Sequence, residues 1–253
     1  MVIKFYEDDI KDLILNKKSM FVPEGLESVV IFEKSLATYR GKHTKTVIAD
    51  CLIFRSDGVV IGIEIKTERD DLSRLRSQLP MYSIVCDYVY VMCHDDHIPK
   101  VEKSTQRYKQ SHVGIIAYTE FRSIPFLGVY REAEKSPQQS VYSTFNLLWK
   151  KEILSILGGF KYHGDRAASE IGHTNYRPVH RGLGMDTGMT QGSSGMSMKK
   201  GQLIRNLIAR VGEEEAQRML CDLFINHRMD PARTVKLKHF KPARIREEDL
   251  DDE

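Results

Sequence analysis

Three residues of the right types for phosphoryl chemistry stand close together in the chain. Glu64 and Lys66 lie two apart in the apolar run VVIGIEIK (59–66), and Asp50 sits in a second apolar run, VIADCLIF (47–54). Side chains two apart on a strand share a face, so Glu64 and Lys66 project together. Between the runs stands Arg55-Ser56-Asp57-Gly58, and an Asp-Gly flanked by apolar segments signals a hairpin. If Ser56-Asp57-Gly58 forms a three-residue loop with Gly58 left-handed, Asp50 faces Glu64 directly. Opposed Cβ atoms are roughly 4.5–5.5 Å apart, close enough for two carboxylates to share one cation. Without a cation they repel; Mg²⁺ is commonly held by one or two carboxylates and keeps waters for substrate and nucleophile. Lys66 beside such a pair can stabilise charge on a phosphoryl oxygen, or hold and help deprotonate an attacking water. The bland alternative is a solvated surface strand. It fits poorly, because the charges come only at the C-terminal end of the run, where open α/β sheets place ligands.

The elements that must position these residues follow from periodicity. FYEDDIKDLILN (5–16) spaces Phe5, Ile10, Leu13 and Ile14 as a helix, with acids in the first turn where the helix dipole favours them. SVVIFEKSLATY (28–39) is β-branched and aromatic and reads as a strand before the hairpin. From Asp70 to about Val85 the helical period returns with Leu72, Leu75, Leu79 and Tyr82. DYVYVMC (87–93) and VGIIAYTE (113–120) are interior strands. Strand–helix–strand implies a parallel pairing, and the hairpins are antiparallel, so the sheet should be mixed. The expected fold class is α/β, with an α-β-β-β-α-β core over residues 1–132. On the helix after the hairpin, Arg74, Gln78 and Tyr82 share one stripe.

The rest of the chain is different. FNLLWKKEILSILGG (145–159), KKGQLIRNLIARV (199–211) and EEEAQRMLCDLFINHR (213–228) read as amphipathic helices in a helical region over 145–240. They are interrupted at 162–198, a stretch without periodicity that reads as a flexible linker. Residues 247–253, EEDLDDE, form an acidic tail. Without it the chain has 38 basic against 29 acidic residues, a balance that suits a polyanionic partner.

Several classes are excluded. No apolar run approaches the ~18 residues of a membrane-spanning helix, and no membrane partner is expected. The N-terminus lacks the pattern of a secretory signal. The four cysteines show no CxxC spacing and fall in apolar runs, which suits reduced thiols in a cytoplasmic protein. GxxxxGK[ST], GxGxxG and GxSxG are all absent. Cys93-His94-Asp95-Asp96-His97 lacks a second ligand pair and reads as a turn.

Asp50…Glu64-Ile65-Lys66 on this hairpin, followed by Gln78-x-x-x-Tyr82, resembles the PD-(D/E)XK nuclease superfamily and the QxxxY motif of its RecB-like branch. Gly41–Val101 is most similar to the small MmcB-like group of proposed DNA-repair nucleases. The resemblance covers about residues 1–130 and implies a restriction-endonuclease-like core with a metal-dependent phosphodiesterase activity. It implies Mg²⁺, or Mn²⁺, held by Asp50 and Glu64 with the carbonyl of Ile65, and an added acid from the first helix, Glu7 or else Glu33. Lys66 would stabilise charge or orient water, while Gln78 and Tyr82 would shape the site and contact DNA. Arg74 is a nucleic-acid candidate from the residues alone: its stripe with Gln78 and Tyr82 can hold a phosphate, against the plainer reading of an exposed polar stripe. Two positions depart from the pattern: Ala49 replaces the proline of the motif, and Pro80 falls between Gln78 and Tyr82.

The C-terminal helices resemble, more weakly, a SAP-like DNA-binding hairpin in which Lys199, Lys200, Arg205 and Arg210 would contact phosphates. The alternative is a bundle packed on the core. The function expected from all this is DNA hydrolysis in repair, restriction or phage-related processing. The alternatives are an RNA-processing nuclease and a silent nucleic-acid-binding module.

Overall fold

The computed structural model describes residues 6–40, 43–121, 124–158 and 199–226. Six strands form one mixed sheet in the order β1 (Ser28–Arg40), β2 (His43–Arg55), β3 (Val60–Lys66), β4 (Tyr88–His94), β5 (Gly114–Phe121) and β6 (Ile124–Arg131). β1, β2 and β3 pair antiparallel, β3, β4 and β5 parallel, and β5 with β6 antiparallel. The helix α1 (Glu7–Asn16) precedes them, and α2 (Leu75–Val85) crosses from β3 to β4. This is the mixed α/β sheet the sequence leads one to expect.

Two elements were not expected. α3 (Ile98–Arg107) links β4 to β5, a stretch in which the sequence reading places no element. β6 adds a sixth strand despite Pro125 and Gly128, residues that edge strands tolerate because one of their sides needs no ladder. The segment expected as one helix over 145–159 divides into a 3₁₀ turn over Phe145–Leu147 and α5 (Lys150–Gly158), and a short helix, α4 (Val141–Thr144), precedes it. The linker 162–198 and the acidic tail lie outside the described residues.

Helices cover both faces of the sheet. On one face Ile10 and Ile14 of α1 pack with Phe21 against Ile53, Ile63 and Met92. On the other, Leu75, Leu79 and Tyr82 of α2 meet Leu52, Val60 and Val91. The same apolar cluster takes in α6 (Lys200–Val211) through Leu203 and Leu207, and α7 (Glu213–Ile225) through Leu220 and Phe224. Phe224 stacks on Phe54 of β2 with ring centroids 4.0 Å apart. Gln217 Nε2 donates to the carboxylate of Asp87 at 2.6 Å and to the Gly58 carbonyl at 2.9 Å, tying α7 to the turn of the central hairpin. The C-terminal helices therefore share one core with the sheet. Among the described residues no helix is long and apolar enough to cross a membrane.

Candidate metal centre

The β2–β3 turn sets everything that follows. Gly58 has φ +92°, a left-handed conformation that L side chains rarely adopt, and its N–H bonds the Arg55 carbonyl at 3.0 Å. Arg55 N–H bonds the Val59 carbonyl at 3.0 Å, which closes a three-residue loop. The register is the one the Asp-Gly signal predicts, with Phe54 opposite Val60 and Cys51 opposite Ile63. One rung further the ladder stops. There the Asp50 carboxylate reaches across and accepts the Ile65 N–H at 2.8 Å, taking the place of a strand neighbour.

That rung is also a switch of faces. In β1, Val29 and Ile31 pack on the α2 side before Glu33, and Lys34 and Leu36 turn inward after it. In β2, Leu52 and Phe54 face that side, and beyond Asp50 it is Ala49 and Val47. Glu33 stands between the paired Phe32–Cys51 and Lys34–Ala49 rungs, opposite Asp50, with φ +55°. Alternation breaks in both strands at one level, and this releases Asp50 from the flat sheet towards β3.

Glu64 and Lys66 are fully buried and form an ion pair with each other. Buried charges need partners, and Glu64 has one oxygen paired with Lys66 while its Oε2 is without a hydrogen-bond partner. The Asp50 carboxyl is pushed up to about 7, first by burial and then by the charge of Glu64. The Ile65 N–H and Lys66 offset only part of that rise. Two neighbouring carboxylates with unmet charge are the condition that a hard divalent cation relieves. In a strand the N–H and C=O of one residue point to the same neighbour. The Ile65 carbonyl therefore lies on the edge that β2 leaves open, beside Asp50. An all-oxygen donor set of this kind fits Mg²⁺ or Mn²⁺ and not a soft metal.

Tyr82 of α2 holds this arrangement from behind. Its hydroxyl accepts the Asp50 backbone N–H at 2.8 Å, and burial together with the charges of Glu64 and Asp50 raises its pKa well above the ordinary phenol value. Gly62 makes the approach possible, since a Cβ there would lie 2.5 Å from the Tyr82 ring. Pro80 does not end the helix, which continues to Val85 and carries Gln78 and Tyr82 inward together. Gln78 Oε1 is buried without a partner.

The other expected residues are placed less uniformly. Glu7 and Glu33 both pair with Lys11 of α1 at 2.9 Å, and the charge of Glu7 adds to the rise at Asp50. Neither joins Asp50 and Glu64 in a tight ligand ring. Among the described residues the group of three candidate ligand atoms within 4.8 Å is His94, Asp95 and Asp96. Arg74 is exposed at the start of α2. In α6, Lys200 donates to the Asn146 carbonyl at 3.1 Å, and the exposed Arg205 lies over the Tyr142 ring. Lys199 is exposed and Arg210 half-buried.

A positioning residue that sequence reading passed over is His97. It is buried at the end of a 3₁₀ turn, where the expected polar turn falls, and its Nε2 lies 3.1 Å from the carbonyls of Thr67 and Glu68. This ties down the loop that leaves Lys66. No sequence signal marks it, because the contact joins residues thirty apart.

Comparison with known families matches the chain over residues 1–181 to the family described as Bacteriophage P4 protein cII. The chain belongs to that family. No curated protein and no solved structure matches it.

Proposed function

We propose that the protein is a Mg²⁺-dependent nuclease of the PD-(D/E)XK type that hydrolyses phosphodiester bonds of DNA, in phage-related processing, restriction or repair. The observation that carries this reading is the buried Glu64–Lys66 pair, its unpartnered Glu64 oxygen and the Asp50 carboxyl beside it at the end of β3. Asp50, Glu64 and the Ile65 carbonyl would hold the cation. When bound, it supplies a lowered water pKa and positive charge for the phosphoryl oxygens. Lys66 sets a positive charge at the reacting phosphate and orients the attacking water, its own position fixed by Glu64. Tyr82 keeps Asp50 aimed by accepting its backbone N–H. Burial of Glu64 and Lys66 excludes water from all but the open edge, which strengthens each of these interactions. The four described cysteines are free and buried, which suits action in the cytoplasm.

The test is incubation of the protein with supercoiled, linear and single-stranded DNA and structured RNA, in Mg²⁺, Mn²⁺ or EDTA. Metal-dependent cutting of DNA, absent in Lys66→Ala, is expected. Cutting that persists in Lys66→Ala or in EDTA would overturn the assignment of the site.

A further inference from the structure

β1 and β2 are each thirteen residues long, but β3 pairs only with Cys51–Phe54 of β2. Beyond the Glu33–Asp50 rung the two strands run on as a two-stranded ribbon, from the Lys34–Ala49 pair to the Arg40–His43 pair. At about 3.3 Å per residue, those seven rungs reach roughly 23 Å from the candidate metal centre. Among the described residues, one face of the ribbon anchors it at its base. Leu36 and Ala49 are buried there, and Lys34 Nζ lies 5.2 Å from the centre of the Phe224 ring. Ser35, Thr46 and Ile48 on the other face are exposed, Ile48 by 60%. Towards its end the ribbon bears Arg40, His43 and Lys45, with no acidic residue from Ser35 to Ala49.

Among the described residues no further strand pairs with this part of the ribbon, and an unpaired edge invites association. Its width and charge fit a particular occupant. The major groove of B-form DNA, about 12 Å wide and 8.5 Å deep, admits a two-stranded ribbon, and its phosphate walls attract the positive charge. The major groove of A-form RNA is too narrow for this. A single strand has no groove to receive it.

We propose that the β1–β2 ribbon enters the major groove of duplex DNA, with the Asp50 rung at its root placed against the backbone. The role of the root rests on the nuclease reading above; the groove contact rests on the ribbon. The ribbon makes double-stranded DNA the substrate class, and the phosphate met at the site is the one a ribbon's length from the end of the arm.

The test measures binding of the full-length protein to a labelled duplex DNA of about 20 base pairs, the same single strand and the same-sequence RNA duplex. Fluorescence anisotropy in EDTA, at several salt concentrations, keeps binding separate from cutting. The duplex DNA should bind tightest. Arg40→Gln with Lys45→Gln should reduce the slope of log affinity against log salt by about 1.8, at roughly 0.9 per phosphate contact. A second variant replaces 38–45 with Asn-Gly between the paired Ala37 and Thr46. It should keep its melting temperature and lose the preference for duplex DNA. Equal binding to all three nucleic acids, or unchanged slope and preference in both variants, would overturn the proposal. Ribbon-dependent duplex binding without metal-dependent cutting would support the groove contact and sink the nuclease reading. Cutting with ribbon-independent binding would do the reverse.

Discussion

The buried Glu64–Lys66 pair makes a sharp prediction about stability and metal together. Lys66→Met keeps the apolar stem and removes the charge, leaving the Glu64 carboxylate at 0% exposure with neither oxygen matched by a cation. Breaking a buried pair in this way costs about 3–5 kcal/mol, because one charge stays behind uncompensated. At about 2–4 °C per kcal/mol for a chain of this size, the melting temperature in EDTA should fall by roughly 6–20 °C. The double substitution Glu64→Gln, Lys66→Met removes both charges and should recover most of the loss. Mg²⁺ should then discriminate between the variants. A cation at a hundred times its dissociation constant stabilises the native state by about 2.7 kcal/mol. Lys66→Met, freed of a competing positive charge, should gain at least as much as the wild type, and the double variant nothing. Thermal unfolding with and without Mg²⁺ measures all of this. A Lys66→Met protein within about 1 kcal/mol of wild type in EDTA would refute the reasoning, as would a double variant no more stable than the single one.

Three further outcomes follow from the same geometry. Tyr82→Phe strands the Asp50 N–H that the hydroxyl accepts at 2.8 Å, so urea unfolding should show a loss of about 1–3 kcal/mol and metal titration a weaker site. Gly62→Ala puts a Cβ 2.5 Å from the Tyr82 ring and 2.8 Å from Cys86 Sγ, and this overpacking should cost about 1–3 kcal/mol by the same unfolding measurement. His112 is buried beside Ser83 Oγ at 2.9 Å, and burial lowers its pKa below 6.5 although Glu134 pulls the other way. The native state then binds fewer protons than the unfolded one, so the contribution of His112 is complete above 6.5 and is lost as pH falls through the folded value. His112→Gln should make stability less sensitive to acid over that range, and an unchanged pH profile would contradict it.

What the sequence made legible was local. The Asp-Gly turn set the hairpin register because Gly58 alone could supply its left-handed conformation, and the register brought Asp50 to Glu64. The helix dipole and the apolar stripe placed α1, α6 and α7 within a few residues of their ends. α3 escaped because IPKVEKSTQR buries little beyond Val101 and Thr105, a stripe too narrow to stand out. β6 escaped because Pro125 and Gly128 read as breakers and its Phe126, Val129 and Tyr130 are exposed. The face switch at Glu33 and Asp50 had no local signature, since apolar residues continue on both sides of it and only the packing tells which way they point. The Phe54–Phe224 stack and the Gln217–Asp87 bond join distant parts of the chain, and no pattern along the sequence reports such contacts. The same limit applied to Lys200 and Arg205, whose charge is visible in the sequence while their partners are not.

The central claim is that Asp50 and Glu64 together hold a divalent cation. It is tested most directly by titrating the protein with Mn²⁺ and counting the free ion by its electron paramagnetic resonance signal, which needs no assumption about the substrate. The wild type should take up Mn²⁺ at a site that Mg²⁺ competes for. Asp50→Asn, folded to the same melting temperature or higher because it removes a partly buried charge beside Glu64, should lose that site. Uptake unchanged in Asp50→Asn, or none in the wild type, would contradict the account.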